Sequence, residues 1–273
     1  MKRKESLITA TSMNKLQLTL FISLVVTLGC ILVSMRLMKG NKPEETEPYA
    51  PKFCQFEIIQ TTCPEVSGLC LAPDGVGLLA ASDEDGVYYI APDGTTTPFY
   101  TEKNLDCEGV TVNPATGDVY YIVERKQELR RLRGPEYNQS ELLFVFEDVG
   151  LHTNSGLEGV AWYRDDILFV GNQKRPSLLM QYSLQENRIL SGCLTQTSEI
   201  ADLCYDPVRD VLWVMDSDAY TINLCTTEGE ILQSWPVPYI ANAEAVCVDH
   251  ARGCLWIGDD TTSRIFKMEF EGL

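Results

Sequence analysis

Histidine, the side chain most used for proton transfer and transition-metal binding near neutral pH, occurs only twice in 273 residues, as His152 and His250. The chain has no G-x-S-x-G, H-E-x-x-H, P-loop or dinucleotide-binding glycine fingerprint, so the common hydrolase, zinc-protease and nucleotide-binding classes have no motif to rest on. Asp216-Ser217-Asp218 has no histidine beside it with which to build a triad. Basic residues are equally scarce where they would matter. Residues 1–42 hold seven of the 22 Lys and Arg but one of the 39 Asp and Glu, which leaves 15 basic against 38 acidic residues in the remainder. Such a surface repels a phosphate backbone and attracts cations, so nucleic acid is excluded as a partner.

What the chain has in abundance is repetition. Cys107–Glu124 (CEGVTVNPATGDVYYIVE) shares its pattern with four other segments, and the copies begin at Ser67, Glu108, Glu158, Ala201 and Glu244. Each runs as a polar or acidic start, an apolar stretch rich in Val, Ile, Leu, Tyr and Trp, a turn with Asp, Pro or Gly, and a second apolar stretch ending in a carboxylate or amide. The spacings of 41, 50, 43 and 43 residues, with further strand-like runs in each unit, predict four short strands per repeat: the blade of a β-propeller. Only 29 residues follow Glu244, too few for a whole blade, while the strand-like FCQFEII precedes the first copy. The expectation is an all-β, five-bladed propeller of the NHL-like kind over residues 53–273, closed by pairing the start of the chain with its end, which removes an exposed edge.

An antiparallel hairpin brings the start of its first strand beside the end of its second. Starts (Ser67, Glu108, Glu158, Ala201, Glu244) and ends (Asp83, Glu124, Asn172, Asp216, Asp260) are therefore expected to form rings around one mouth of a central channel. Carboxylates crowded there repel one another unless a cation neutralises them. Oxygen donors without a His or Cys set suit a hard ion of irregular coordination. The pattern predicts a Ca2+ site drawn from Glu108, Glu158, Glu244, Asp83, Glu124, Asp216 and Asp260; the alternative is that these acids cap strand ends.

One long apolar run exists. Leu16–Met35 carries no charge over twenty residues, enough for a helix to cross a bilayer core. Residues 1–15 are basic, so the expectation is a cytoplasmic N-terminus, an uncleaved signal anchor at 16–35, a tether at 36–52 and an extracytoplasmic propeller, making a single-pass protein of the plasma or inner membrane. Nine cysteines lie beyond the anchor. Cys70, Cys204 and Cys247 share one repeat position and read as small residues of a crowded inner strand. Cys54 with Cys63, and Cys247 with Cys254, are candidate bridges.

The segment SGLEGVAWYRDDILFVGNQKRP, the stretch EIADLCYDPVRDVLWVMDSDAYTINLCTTEGEILQSWPVP and the copy at Glu244 resemble the SdiA-regulated, YjiK-like family of bacterial envelope proteins. The resemblance implies a five-bladed propeller behind a membrane segment, a calcium site and no established activity. It is broken at Ala201-Asp202, Glu244-Ala245 and Asn172-Gln173, where the family usually has Ser-Gly, Glu-Gly and an acid. The functional expectation is a membrane-anchored calcium-binding propeller that holds a small ligand or a protein over its mouth. The alternative is a calcium-dependent hydrolase of the lactonase or esterase type, with His152, six residues before Glu158, as its base.

Overall fold

The computed structural model describes residues 51–147 and 155–273. The basic segment 1–15, the anchor at 16–35, nearly all of the tether at 36–52 and His152 lie outside the described residues. Among the described residues no helix is long and apolar enough to cross a membrane.

Among the described residues twenty strands form five four-stranded antiparallel sheets. Strand β1 (Lys52–Gln60) comes first. Blade 1 holds β2 (Val66–Leu71), β3 (Leu78–Ser82), β4 (Gly86–Ile90) and β5 (Thr96–Thr101). Blade 2 holds β6 (Cys107–Val112), β7 (Val119–Val123), β8 (Glu128–Leu132) and β9 (Ser140–Val145), with a 3-10 turn at Glu124–Lys126. Blade 3 is β10 (Leu157–Arg164), β11 (Ile167–Asn172), β12 (Leu178–Ser183) and β13 (Arg188–Leu194). Blade 4 is β14 (Asp202–Asp206), β15 (Val211–Asp216), β16 (Thr221–Cys225) and β17 (Ile231–Pro236). Blade 5 takes β18 (Ala243–Asp249), β19 (Cys254–Asp259) and β20 (Arg264–Glu271) from the end of the chain and β1 from its start. The expected closure is present: β1 lies antiparallel to β20 from Lys52 opposite Glu271 to Gln60 opposite Arg264.

The first strand of each blade is innermost. β2 packs on β6, β6 on β10, β10 on β14, β14 on β18, and β18 again on β2. Four of the five inner hairpins turn on an Asp or Asn that accepts backbone N–H bonds. Asp74 Oδ1 accepts from Val76 and Gly77, Asn113 Oδ1 from Ala115, Asp206 Oδ1 from Val208 and Arg209, and Asp249 Oδ1 from Arg252. Because every blade goes up and down in the same order, these turns all gather at one face and the strand starts at the other.

The core lies between blades. Separate apolar clusters fill the seams between blades 1 and 2, 2 and 3, 3 and 4, and 5 and 1. At the seam between blades 4 and 5, the Trp213, Trp235 and Phe270 rings meet at 5.3–6.0 Å. The candidate bridges are absent, since the described cysteines are free thiols. The register explains one case: Cys247 pairs with Trp256 and Cys254 with Asp249, so the two cysteines are not opposite each other. In the other, Cys54 sits exposed at a bulge of β1 while Cys63 is buried beneath blade 1.

Candidate functional site

The inner strands begin at an acidic mouth. Glu108 on β6, Glu158 on β10 and Glu244 on β18 enter it from strand starts, while Asp83, Glu124 and Asp260 enter from the turns after β3, β7 and β19. The carboxylates of Asp83, Asp106 and Glu108 place one oxygen each within 4.8 Å of one another. Glu158 is close enough to Glu108 for that neighbour, after burial, to raise its carboxyl, which favours a proton or a cation between them.

A ring that the repeat pattern had not singled out lies two residues before each start: Glu65, Asp106, Gly156, Glu199 and Asn242. Period-two alternation puts residues i and i−2 on one face of an extended chain, so the signal was available in the spacing. These side chains hold the mouth together. The backbone N–H of Arg125 donates to Asp106 Oδ2 at 2.8 Å, that of Asp218 donates to Glu199 Oε1 at 2.8 Å, and Asn242 Nδ2 donates to Glu244 Oε1 and Asp260 Oδ2 at 2.8 and 3.2 Å. Gly156 contributes a backbone N–H, 2.9 Å from Glu124 Oε1.

Asp216 stands apart from the others. Its Oδ2 accepts from the Ser198 N–H and its Oδ1 from the Ala219 N–H, at 2.7 and 3.0 Å, so both oxygens hold local turns. Beside it one ammonium serves two carboxylates. Glu199, only 1% exposed, takes Lys174 Nζ at 2.8 Å, and the same ammonium reaches Asp218 at 3.2 Å. The sector built by blades 5, 1 and 2 has no such internal cation among the described residues; Arg125, itself 67% exposed, touches Asp106 at 3.3 Å.

The electrostatic consequence is uniform. Burial raises the carboxyls of Glu108 and Glu158 well above their usual range, and the neighbouring acids raise them further. Burial, with Asp260 second, pushes Glu244 up to about 8. A hydrogen bond to Asp83, followed by burial, pushes Glu65 up to about 7. Asp106, Glu124 and Asp260 are also raised, each mainly by burial. Such groups carry either protons or a cation.

Their donor chemistry fits a hard cation. Besides the carboxylates, three buried amide oxygens have no partner among the described residues: Gln127 Oε1, Asn172 Oδ1 and Gln173 Oε1. Gln127 lies against Gly156 beside Glu124, and Gln173 bonds through its backbone to Gly156 and Ile200. Carboxylate and amide oxygens together are the ligand set that calcium accepts. The cluster is an acidic centre able to hold a metal.

Beneath the mouth, Asp202 crosses the channel axis. Wholly buried on β14, it accepts N–H bonds from Leu69 of blade 1 at 3.1 Å and Val246 of blade 5 at 2.9 Å, and from Leu203 at 2.8 Å. Burial raises its carboxyl well above the ordinary range, and the three N–H donors oppose that rise. Asp202 therefore links three inner strands and divides the channel in two.

No family model and no curated protein matches the chain. Among solved structures, the glutaminyl cyclase of Myxococcus xanthus superposes with a TM-score of 0.62 at 12% identity, covering 82% of this chain and 99% of that one. The chain is a five-bladed β-propeller. A virginiamycin B lyase from Staphylococcus aureus gives 0.46 at 15% identity, covering 74% of this chain and 65% of the lyase. An auxiliary nutrient binding protein from Bacteroides thetaiotaomicron gives 0.48 at 14%, covering 76% and 59%. At these identities the likeness speaks to fold alone.

Proposed function

We propose that the propeller is an extracytoplasmic binding module, anchored by residues 16–35 and holding Ca2+ at its acidic mouth, where the ion presents a small ligand or a protein partner with a fixed positive charge. The observation that carries this reading is the convergence of Asp83, Asp106 and Glu108 oxygens within 4.8 Å in a sector where, among the described residues, the cation in contact is the solvent-exposed Arg125. Glu158 and Glu244, which interact electrostatically with Glu108, add further oxygen donors. The resemblance to the SdiA-regulated, YjiK-like family supports the same ion and the same anchor. A binding role is favoured over a calcium-dependent hydrolase because an aromatic-lined cavity lies at the other end of the channel, behind Asp202, and not over the carboxylates.

Thermal melting of the protein, first with EDTA and then with excess Ca2+, tests the reading, because an ion that binds only the folded state raises its stability. A higher midpoint in Ca2+, reduced by Glu108→Gln, is expected. A midpoint indifferent to Ca2+ would sink the proposal.

A further inference from the structure

The inner strands end in a second chamber, on the far side of Asp202. The last residues of β2, β6, β10, β14 and β18, with the turns after them, enclose a cavity of about 680 Å³, within the range of small-molecule sites. Three thiols from one repeat position, Cys70, Cys204 and Cys247, line its depth, and Trp162, Tyr163 and Tyr205 line its walls.

Two buried carboxylates at this end face cationic or N–H groups: Asp206 accepts from His250 Nε2 at 2.7 Å, its other oxygen lying 3.8 Å from Arg209 Nη1, and Asp249 accepts from Arg252 and from Trp256 Nε1 at 2.5 and 3.1 Å. Arg164, which also lines the cavity, makes no ion pair among the described residues; its guanidinium lies 4.2 Å from the centre of the Tyr163 ring. Aromatic walls edged by a guanidinium that stacks on a ring but has no carboxylate partner among the described residues match a flat apolar body with one anionic group.

We propose that this chamber binds a planar apolar molecule carrying a single carboxylate, with Arg164 on the carboxylate and the apolar walls of the chamber around the ring system. The site is independent of any ion at the acidic mouth. Cys204 reports on its occupancy. Of the three thiols it is the one that is partly exposed, and its sulfur accepts the Val248 N–H at 3.4 Å. Lining the chamber and partly exposed, it is the thiol that a bound molecule would shield from an alkylating reagent.

The experiment uses the full chain in lipid nanodiscs with 2-naphthoate as probe. Equilibrium dialysis measures uptake, and peptide mapping follows alkylation of Cys204 by iodoacetamide, with the exposed Cys54 as internal reference. Expected are saturable 1:1 binding, with or without EDTA, and alkylation of Cys204 slowed about tenfold at saturation while Cys54 is unaffected. Arg164→Ala, an exposed position, should weaken binding about tenfold, the loss of one charge-assisted contact. Three outcomes would overturn the proposal: no saturable uptake, Cys204 labelling indifferent to the probe, or Arg164→Ala binding as wild type does. Cys204 refractory to alkylation in the free protein would also overturn it, since the chamber would then be filled by the chain itself or by a partner.

Discussion

Blades 2 and 4 have the same four strands in the same order and differ where the inner strand begins: Glu108-Gly109 in one, Ala201-Asp202 in the other. A one-residue shift of the carboxylate along an extended chain sends it to the opposite side. Glu108 thus enters the mouth beside Asp83 and Asp106, whereas Asp202 enters the axis and bonds to two other blades. The glycine that follows Glu108 is equally specific. A Cβ at Gly109 would lie 2.3 Å from the Glu158 carbonyl oxygen and 2.7 Å from the Val160 nitrogen, so the bare backbone is what lets β6 and β10 approach. Where blade 4 gives up the glycine, the side chain in its place supplies hydrogen bonds across the gap. The ring therefore has two ways of joining inner strands, close backbone contact and a shared carboxylate.

The largest expected effect comes from breaking the first of these. Gly109→Ala forces apart two inner strands and should cost about 3 kcal/mol, the upper part of the overpacking range, read as a shift in urea midpoint with an unchanged slope. Asp202→Ala breaks the second, stranding the N–H groups of Leu69 and Val246, at about 2 kcal/mol. Asp202→Asn sharpens the comparison: if the carboxylate were merely a trapped charge, removing that charge would stabilise the protein, and a loss of stability instead identifies its acceptor role.

A pH series on the metal-free protein tests the mouth of blades 5, 1 and 2. Glu244 rises from 4.5 to about 8 on folding. Between those values the folded chain holds more protons than the unfolded one, so stability falls as pH increases across this window. A drop in Tm of about 4 °C from pH 5 to pH 8 is expected, equivalent to one or two kcal/mol for a domain of this size, and Glu244→Gln should flatten it. The smallest effect belongs to blades 3 and 4. Lys174→Met removes the ammonium that neutralises Glu199 and should tighten Ca2+ binding by about twofold, the weight of one unit charge at ~10 Å through a solvent-like medium, measured by competition with a chromophoric chelator.

The blade count and the closing strand were legible because repetition and chain length constrain them together: five copies, a short last unit and FCQFEII left over admit one arrangement. Glu108, Glu158 and Glu244 were legible as members of one mouth because they recur at one repeat position. Asp106 and Glu199 could have been found by extending the same alternation two residues backward. Asp216 looked equivalent to Glu124, yet its bonds to Ser198 and Ala219 depend on the course of the connecting loop, which repeat spacing does not describe. The role of Asp202 depends on how near three inner strands approach the axis, a property of ring closure that no single blade contains. The cysteines at one repeat position were read as small core residues; that they line a chamber follows from where the inner turns of five blades converge.

The pairing of β1 with β20 sets an order of events for a chain made from one end. Lys52 finds its partner only when Glu271 has emerged, roughly 10–40 s later at the usual rates of synthesis. Throughout that interval Phe56 and Ile58, which stay largely exposed even in the finished molecule, belong to a strand with an open hydrogen-bonding edge. Four blades can assemble while the clasp waits, and the fifth is completed last. The same seam is where the ring is easiest to interrupt, for a chaperone during biogenesis or for a protease acting on a chain that fails to close.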